Sequence, residues 1–167
     1  MYEAVVKMLA DRGVTLRQIA EVVLEIQRKY YPELTLAECE AGVEAVIKKR
    51  EVQHAILTGV ALDVLAEQGK LPEPLQSIVR NDHYLYGVDE ILALAITNVY
   101  GSIGLTNFGY LDKTKPLVIG TLNNHKNGQC HTFLDDLVSA VAAAAASRIA
   151  HSMIPEDAAE EKESKKE

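Results

Sequence analysis

Tryptophan is absent from this chain and phenylalanine occurs only twice, so aromatic residues make up 5% of its 167 positions. With few rings available, a core of Ala, Leu, Val and Ile favours close-packed helices over a β-sandwich. Cysteine is equally scarce. Cys39 and Cys130 are far apart and match no zinc or redox spacing, which argues against a disulfide framework and for free thiols in a reducing compartment. No basic stretch followed by an apolar segment opens the chain, so a cytoplasmic location without a signal peptide is expected. No uncharged apolar run clearly reaches the roughly 18 to 20 residues of a membrane span. Residues 137–146 are too few, and residues 91–111 are interrupted by Thr97, Asn98, Gly101, Ser102, Gly104 and Asn107. Basic charge is also in deficit: the net charge of −7 speaks against nucleic-acid binding.

What is present is helical punctuation. Thr15-Leu16-Arg17-Gln18 and Thr35-Leu36-Ala37-Glu38 are capping boxes. They predict helices over about 15–30 and 35–67, the second with a break near Gly59, after a first helix over 2–12 that Gly13 stops. Pro72 and Pro74 introduce a short helix ending near Arg80. The segment from Gly13 to Ala20 resembles part of a helix-turn-helix, but acids such as Glu21 and Glu25 sit among its few basic residues. An apolar helix follows over 88–100, then a Gly-containing loop over 101–109, a short element over 117–122, and a last helix over 135–152. Ala142 to Ala146 would let a neighbouring helix approach closely. The expectation is a single all-α domain over 1–154, with an acidic, frayed tail at 155–167. Helix faces rich in Ala and Leu suggest burial between subunits, hence a homo-oligomer.

Two acidic pairs stand out, Asp89-Glu90 and Asp135-Asp136, each heading a helix that is apolar nearly all round. Such a helix is normally buried, and a buried carboxylate must be neutralised, paired with a base or bound to a cation. First-turn acids are also favoured by the helix dipole, which accounts for one acid more readily than for two adjacent ones, repeated. Neighbours on a helix point about 100° apart, so two such helices side by side offer oxygen ligands to a hard cation such as Mg²⁺.

The order of motifs adds to this. Tyr86-Gly87-Val88-Asp89-Glu90, Leu111-Asp112-Lys113-Thr114-Lys115-Pro116 and Phe133-Leu134-Asp135-Asp136-Leu137-Val138-Ser139-Ala140 follow one another with a Gly-containing turn between the last two. This series resembles the phosphatidylglycerophosphatase A family over about residues 80–150. The whole chain is similar to that family's soluble branch, the low-temperature requirement C proteins of Gram-positive bacteria. Ala93 and Ser139-Ala140 stand where the family tends to have Gly and Ala-Gly, and its N-terminal Gly- and Pro-rich segment has no counterpart before residue 80.

The resemblance implies a Mg²⁺-dependent phosphomonoester hydrolase, with Mn²⁺ as a possible substitute. Asp89, Glu90, Asp135 and Asp136 would hold the metal. Lys113 and Lys115 would neutralise phosphate oxygens, and Asp112 would complete the site or act as base. His54 shares a helix face with Glu51 and Thr58, beside Ile47 and Leu62, which suggests either a core histidine or a proton-transfer residue. His125 and His131 flank the turn before Asp135, where solvent exposure is the simpler expectation. The implied partner is a phosphorylated lipid head group or a small phosphoester, reached by peripheral membrane contact through Lys48, Lys49, Arg50 and Lys113. A phosphatase on a soluble substrate and a non-catalytic stress or cold-adaptation protein remain the alternatives.

Overall fold

The computed structural model describes residues 1–124 and 128–153; the expected acidic tail and His125 lie outside them. The fold is all-α, with no strand among the described residues. In chain order the helices are α1 (Tyr2–Asp11), α2 (Leu16–Gln27), α3 (Leu36–Ile47), α4 (Arg50–Glu67), α5 (Leu75–Arg80), α6 (Val88–Thr97), α7 (Gly101–Thr114), α8 (Val118–Asn123) and α9 (Leu134–Ser152). A 3-10 turn, Asn98–Tyr100, joins α6 to α7. Both capping boxes form as read: Thr15 caps α2 with Gln18, and Thr35 caps α3 with Glu38.

Helix α9 is the axis of the molecule. It packs against α2, α3, α4, α6, α7 and α8, and every residue from Leu134 to Ser147 is buried. The small side chains at Ala142 to Ala146 allow this, because helices can close in on α9 from several sides where no bulky group holds them off. One turn apart, Ser139 and Asp135 tie their helix internally: the Ser139 hydroxyl donates to the Asp135 carbonyl.

Gly59 was expected near a break, yet α4 runs through it. The break lies earlier, at Lys48 and Lys49, where Lys49 is extended and the Gln53 side-chain amide donates to the Ile47 carbonyl at the end of α3. Gly59 has a packing role instead. A Cβ there would lie 2.6 Å from Leu137 Cδ1 and 3.0 Å from Phe133 Cβ, so α4 crosses α9 at a point that leaves no room for a methyl group.

The segment read as a loop at 101–109 is helical. Gly101, with φ of 69°, turns the chain between α6 and α7. Asp89 near the start of α6 and Asp112 near the end of α7 consequently border one recess with the start of α9, while Tyr100 at the bend meets Ser147 two-thirds of the way along α9. The stretch Val88–Thr114 is long and apolar enough by composition to cross a membrane, but it is folded into this hairpin. Its outer side is open: α6 buries only Asp89, Ala93, Ile96 and Thr97, so the expectation that α6 is among the most buried helices is not met.

The start of α9 is held from outside its own chain segment. The backbone N–H groups of Phe133 and Leu134 donate to the fully buried carboxylate of Asp63 on α4, at 3.1 and 3.0 Å. Beside it, Arg12 makes a two-toothed ion pair with Glu67 and donates to the Cys130 carbonyl at 2.7 Å, while the Cys130 N–H donates to Glu67 at 2.6 Å. Truncation of Asp63 would orphan two buried donors and remove a helix cap. Asp63→Ala is therefore expected to lower unfolding free energy by about 2–4 kcal/mol, as read by urea denaturation. A loss below about 0.5 kcal/mol would show that α9 is anchored by packing alone.

Candidate active site

Four segments converge at the start of α9: the loop and first turn of α6, the end of α7 with the residues after it, the end of α8, and the first turn of α9 itself. They border a recess of about 180 Å³ lined by Asp82, Asp89, Glu90, Asp112, Lys115, Asn123, Thr132, Asp135 and Asp136. Its lining is polar throughout, with six carboxylates against one ammonium. Larger grooves exist, up to about 500 Å³ between α2 and α7, but that groove is lined by one acid, Glu25, and one base, Lys29.

Each acidic pair is built the same way. The Asp89 carboxylate accepts the N–H of Glu90 at 2.9 Å, and the Asp135 carboxylate accepts that of Asp136 at 3.0 Å. Asp89, Asp135 and Asp136 are buried, whereas Glu90 is exposed at the rim. An edge-to-face contact between Tyr86 and Phe133, with centroids 5.8 Å apart, locks the entry of α6 against that of α9. Thr132 is fixed by donating to the Val79 carbonyl at 2.7 Å.

Lys115 sits at the centre. Its ammonium donates to Asp112 at 2.7 Å, to Asp135 at 2.9 Å and to Asp136 at 3.3 Å. Burial works against its charged form, but the carboxylates of Asp135, Asp112 and Asp136 outweigh that, and its pKa is raised. One ammonium does not satisfy the cluster. Burial and then Asp135 push Asp136 up to about 8, and burial also raises Asp135 and Asp89 despite the help of Lys115.

The backbone is strained where it borders this site. The non-glycine residues with left-handed φ are Asp82 (47°), Leu85 (64°), Lys115 (45°) and Leu117 (52°), all on the two segments that flank the recess. Such conformations cost about 1–3 kcal/mol each and persist where surrounding structure enforces them. At Lys115 the twist closes α7 and turns the side chain's attachment point toward α9.

The acidic pairs, Asp112 and Lys115 therefore meet in one place. Lys113 does not line it and is exposed. His54 is exposed on α4 outside the recess, and the face it shares with Glu51 and Thr58 looks to solvent rather than to the core. His131, expected exposed, is buried, its Nδ1 2.9 Å from the Leu122 carbonyl. The proposed basic patch is divided: Lys49 lies over the Tyr100 ring at the bend, far along α6 from the acids, and Lys113 lies at the recess end. Asp63, Asp82, Asn123 and Thr132 were not anticipated. Asp63 had a legible signal, since it interrupts the apolar stripe of Val52, Ile56, Gly59, Val60 and Ala66 at helical spacing.

The donor set is entirely hard oxygen and anionic, which suits Mg²⁺ or Mn²⁺ by type and charge. Among the described residues no three His, Cys, Asp or Glu side chains are already disposed as metal ligands; the cation they surround is the Lys115 ammonium.

Comparison with known proteins agrees with the geometry and extends it. The phosphatidylglycerophosphatase A family matches over residues 6–151, well beyond the three motifs and into the N-terminal helices. The uncharacterized protein YutG of Bacillus subtilis (strain 168) is 58% identical over 143 residues, 86% of each chain. A protein of unknown function from Bacillus stearothermophilus shares the fold with a TM-score of 0.90 at 58% identity, over 92% of this chain and 96% of that one. The low temperature requirement C protein of Listeria monocytogenes superposes with a TM-score of 0.88 at 58% identity, over 90% and 95%. With its acids gathered at one recess and its sequence matched from α1 to α9, the chain belongs to the phosphatidylglycerophosphatase A family.

Proposed function

We propose that this protein is a divalent-cation-dependent phosphomonoester hydrolase acting on phosphatidylglycerophosphate or a closely related phosphatidyl ester. The observation that carries the reading is the gathering of Asp89, Asp135 and Asp136 from two helices at one polar recess, with Asp112 holding Lys115 among them. The family's name supplies the substrate class.

Asp89, Asp135 and Asp136 would hold Mg²⁺, with Glu90 and Asp112 as further oxygen donors. The ion would supply charge screening for the phosphoryl oxygens and activation of water. The protein's own part is positioning. Lys115 is a point charge on a strained corner, able to donate to a phosphate oxygen as well as to carboxylates. Asp112 restrains it from one side. Asp63 and the Arg12–Glu67 pair keep the α9 end of the site in place, and the polar lining orients a head group without gripping an acyl chain.

The direct assay is phosphate release from phosphatidylglycerophosphate and from soluble phosphate esters, with and without Mg²⁺. Asp136→Asn is expected to abolish release and also the thermal stabilisation by Mg²⁺. For wild-type protein that stabilisation is about 2.7 kcal/mol at a hundredfold excess over Kd, or roughly 5–10 °C for a domain of this size. Mg²⁺ leaving both melting temperatures unchanged would defeat the proposal.

A pH profile gives a separate reading. The carboxyl of Asp136 titrates higher in the fold than in the unfolded chain, as do those of Asp135 and Asp89. The contribution of Asp136 is complete below about pH 4 and is lost as pH rises through about 8, and those of Asp135 and Asp89 are lost in the same direction. Metal-free wild type is expected to melt lower at pH 8 than at pH 5.5, and Asp136→Asn to flatten that slope and melt higher at pH 8. Equal slopes in the two proteins would mean that the acids do not repel one another.

Removing the ammonium tests the other half of the charge balance. Lys115→Met is expected to cost the metal-free protein about 3–5 kcal/mol and to enlarge the thermal shift produced by Mg²⁺. A variant as stable as wild type would assign Lys115 no part in balancing the acids.

A further inference from the structure

Among the described residues the most exposed large apolar side chains are Leu85 and Tyr84, each 84% accessible, on the segment between Asp82 and Asp89. Leu117, two residues beyond Lys115, is 53% exposed, and Val88 and Ile91 on the first turns of α6, beside Asp89 and Glu90, are exposed as well. Leu85 and Leu117 are doubly unfavourable. Each has a left-handed φ that a leucine adopts at a cost, and each forgoes the gain of burying its side chain. Glycine would fit either backbone better and solvent better too. Neither residue packs into the core, so the fold itself does not account for a leucine at these two points.

The recess they border accounts for it. Pockets that enclose a drug-sized ligand run to about 300–1,000 Å³ and are mostly apolar. This one is about 180 Å³ and polar throughout, large enough for a phosphorylated head group and unsuited to acyl chains. A phosphatidyl ester would have to be handled with its acyl chains still in the bilayer, which requires the rim of the recess to meet the lipid surface. We propose that Tyr84, Leu85, Val88, Ile91 and Leu117 form an apolar lip that seats on a lipid bilayer and brings the head-group phosphate to the acidic recess. This rests on the lipid reading above. The net charge of −7 gives no attraction to an anionic surface, so insertion of the lip carries the contact, and binding resists salt.

The test is co-sedimentation of the full chain with vesicles of phosphatidylethanolamine and phosphatidylglycerol. Wild type is expected to pellet with the vesicles at low and high salt. The double variant Leu85→Asn with Leu117→Gly is expected to lose about tenfold or more in partitioning while melting no lower than wild type, because both replacements suit their backbone angles. Ile91→Gln, on regular helix, is expected to weaken partitioning in the same direction and guards against a loop effect. Asp136→Asn is expected to pellet like wild type, which keeps docking apart from chemistry. Wild type remaining in the supernatant would overturn the lip, even if the protein hydrolyses soluble esters and the phosphatase reading stands. So would a double variant that pellets unchanged, or one that alters only the oligomeric state seen by light scattering, which would give this edge to a second copy of the chain. Vesicle binding without phosphate release would support the lip and count against the activity.

Discussion

The arrangement of the site depends on one buried carboxylate far from it in sequence. Asp63 receives the first N–H groups of α9 and thereby sets where Asp135 and Asp136 begin. Without it, a helix start enclosed on all sides would present donors to apolar neighbours. Burial raises the Asp63 carboxyl to about 7 even though Phe133, Leu134 and Arg12 all favour its charge. The Arg12–Glu67 pair alongside, which holds both the N–H and the carbonyl of Cys130, makes the approach to α9 rigid for several residues before the acids appear.

That rigidity has a purpose in charge terms. Carboxylates left to relax would separate and find water; here their backbone is fixed, so burial first and repulsion second appear as raised pKa values rather than as movement. Lys115 relieves part of it from a corner of unfavourable backbone geometry. Strain, desolvation and like charge coincide in one place, and the Ala-rich body of α9 supplies the packing that tolerates them.

Much of this was legible in the residues. The two capping boxes mark helix starts whatever the tertiary context, and the acidic pairs are conspicuous because each interrupts an apolar helix. The hairpin of α6 and α7 was not legible, since the glycines and hydroxyls that read as loop are accommodated in a helix: a Cβ at Gly104 would lie 3.2 Å from the Thr97 carbonyl, and the Thr106 hydroxyl donates to the Ser102 carbonyl one turn back. His54 misled for the opposite reason. Its helical spacing with Glu51 and Thr58 describes one edge of α4, Ile47 belongs to the helix before, and periodicity alone does not say which edge meets the core. Asp63 stands in the apolar stripe of α4 and was legible as an anomaly, but only the position of α9 shows what it holds.

Gly59 carries a consequence for anyone reshaping this protein. Replacing a helical glycine by alanine is among the most dependable ways to raise stability, because it restricts the unfolded chain. On α4 that route is closed. The added methyl would fall on Leu137 and Phe133, the residues on either side of the Asp135-Asp136 pair, and Gly59 is one turn from Asp63 on the same helix. A change of one carbon on a helix that contributes nothing to the recess would press on the turn of α9 that carries both the cap and the acids.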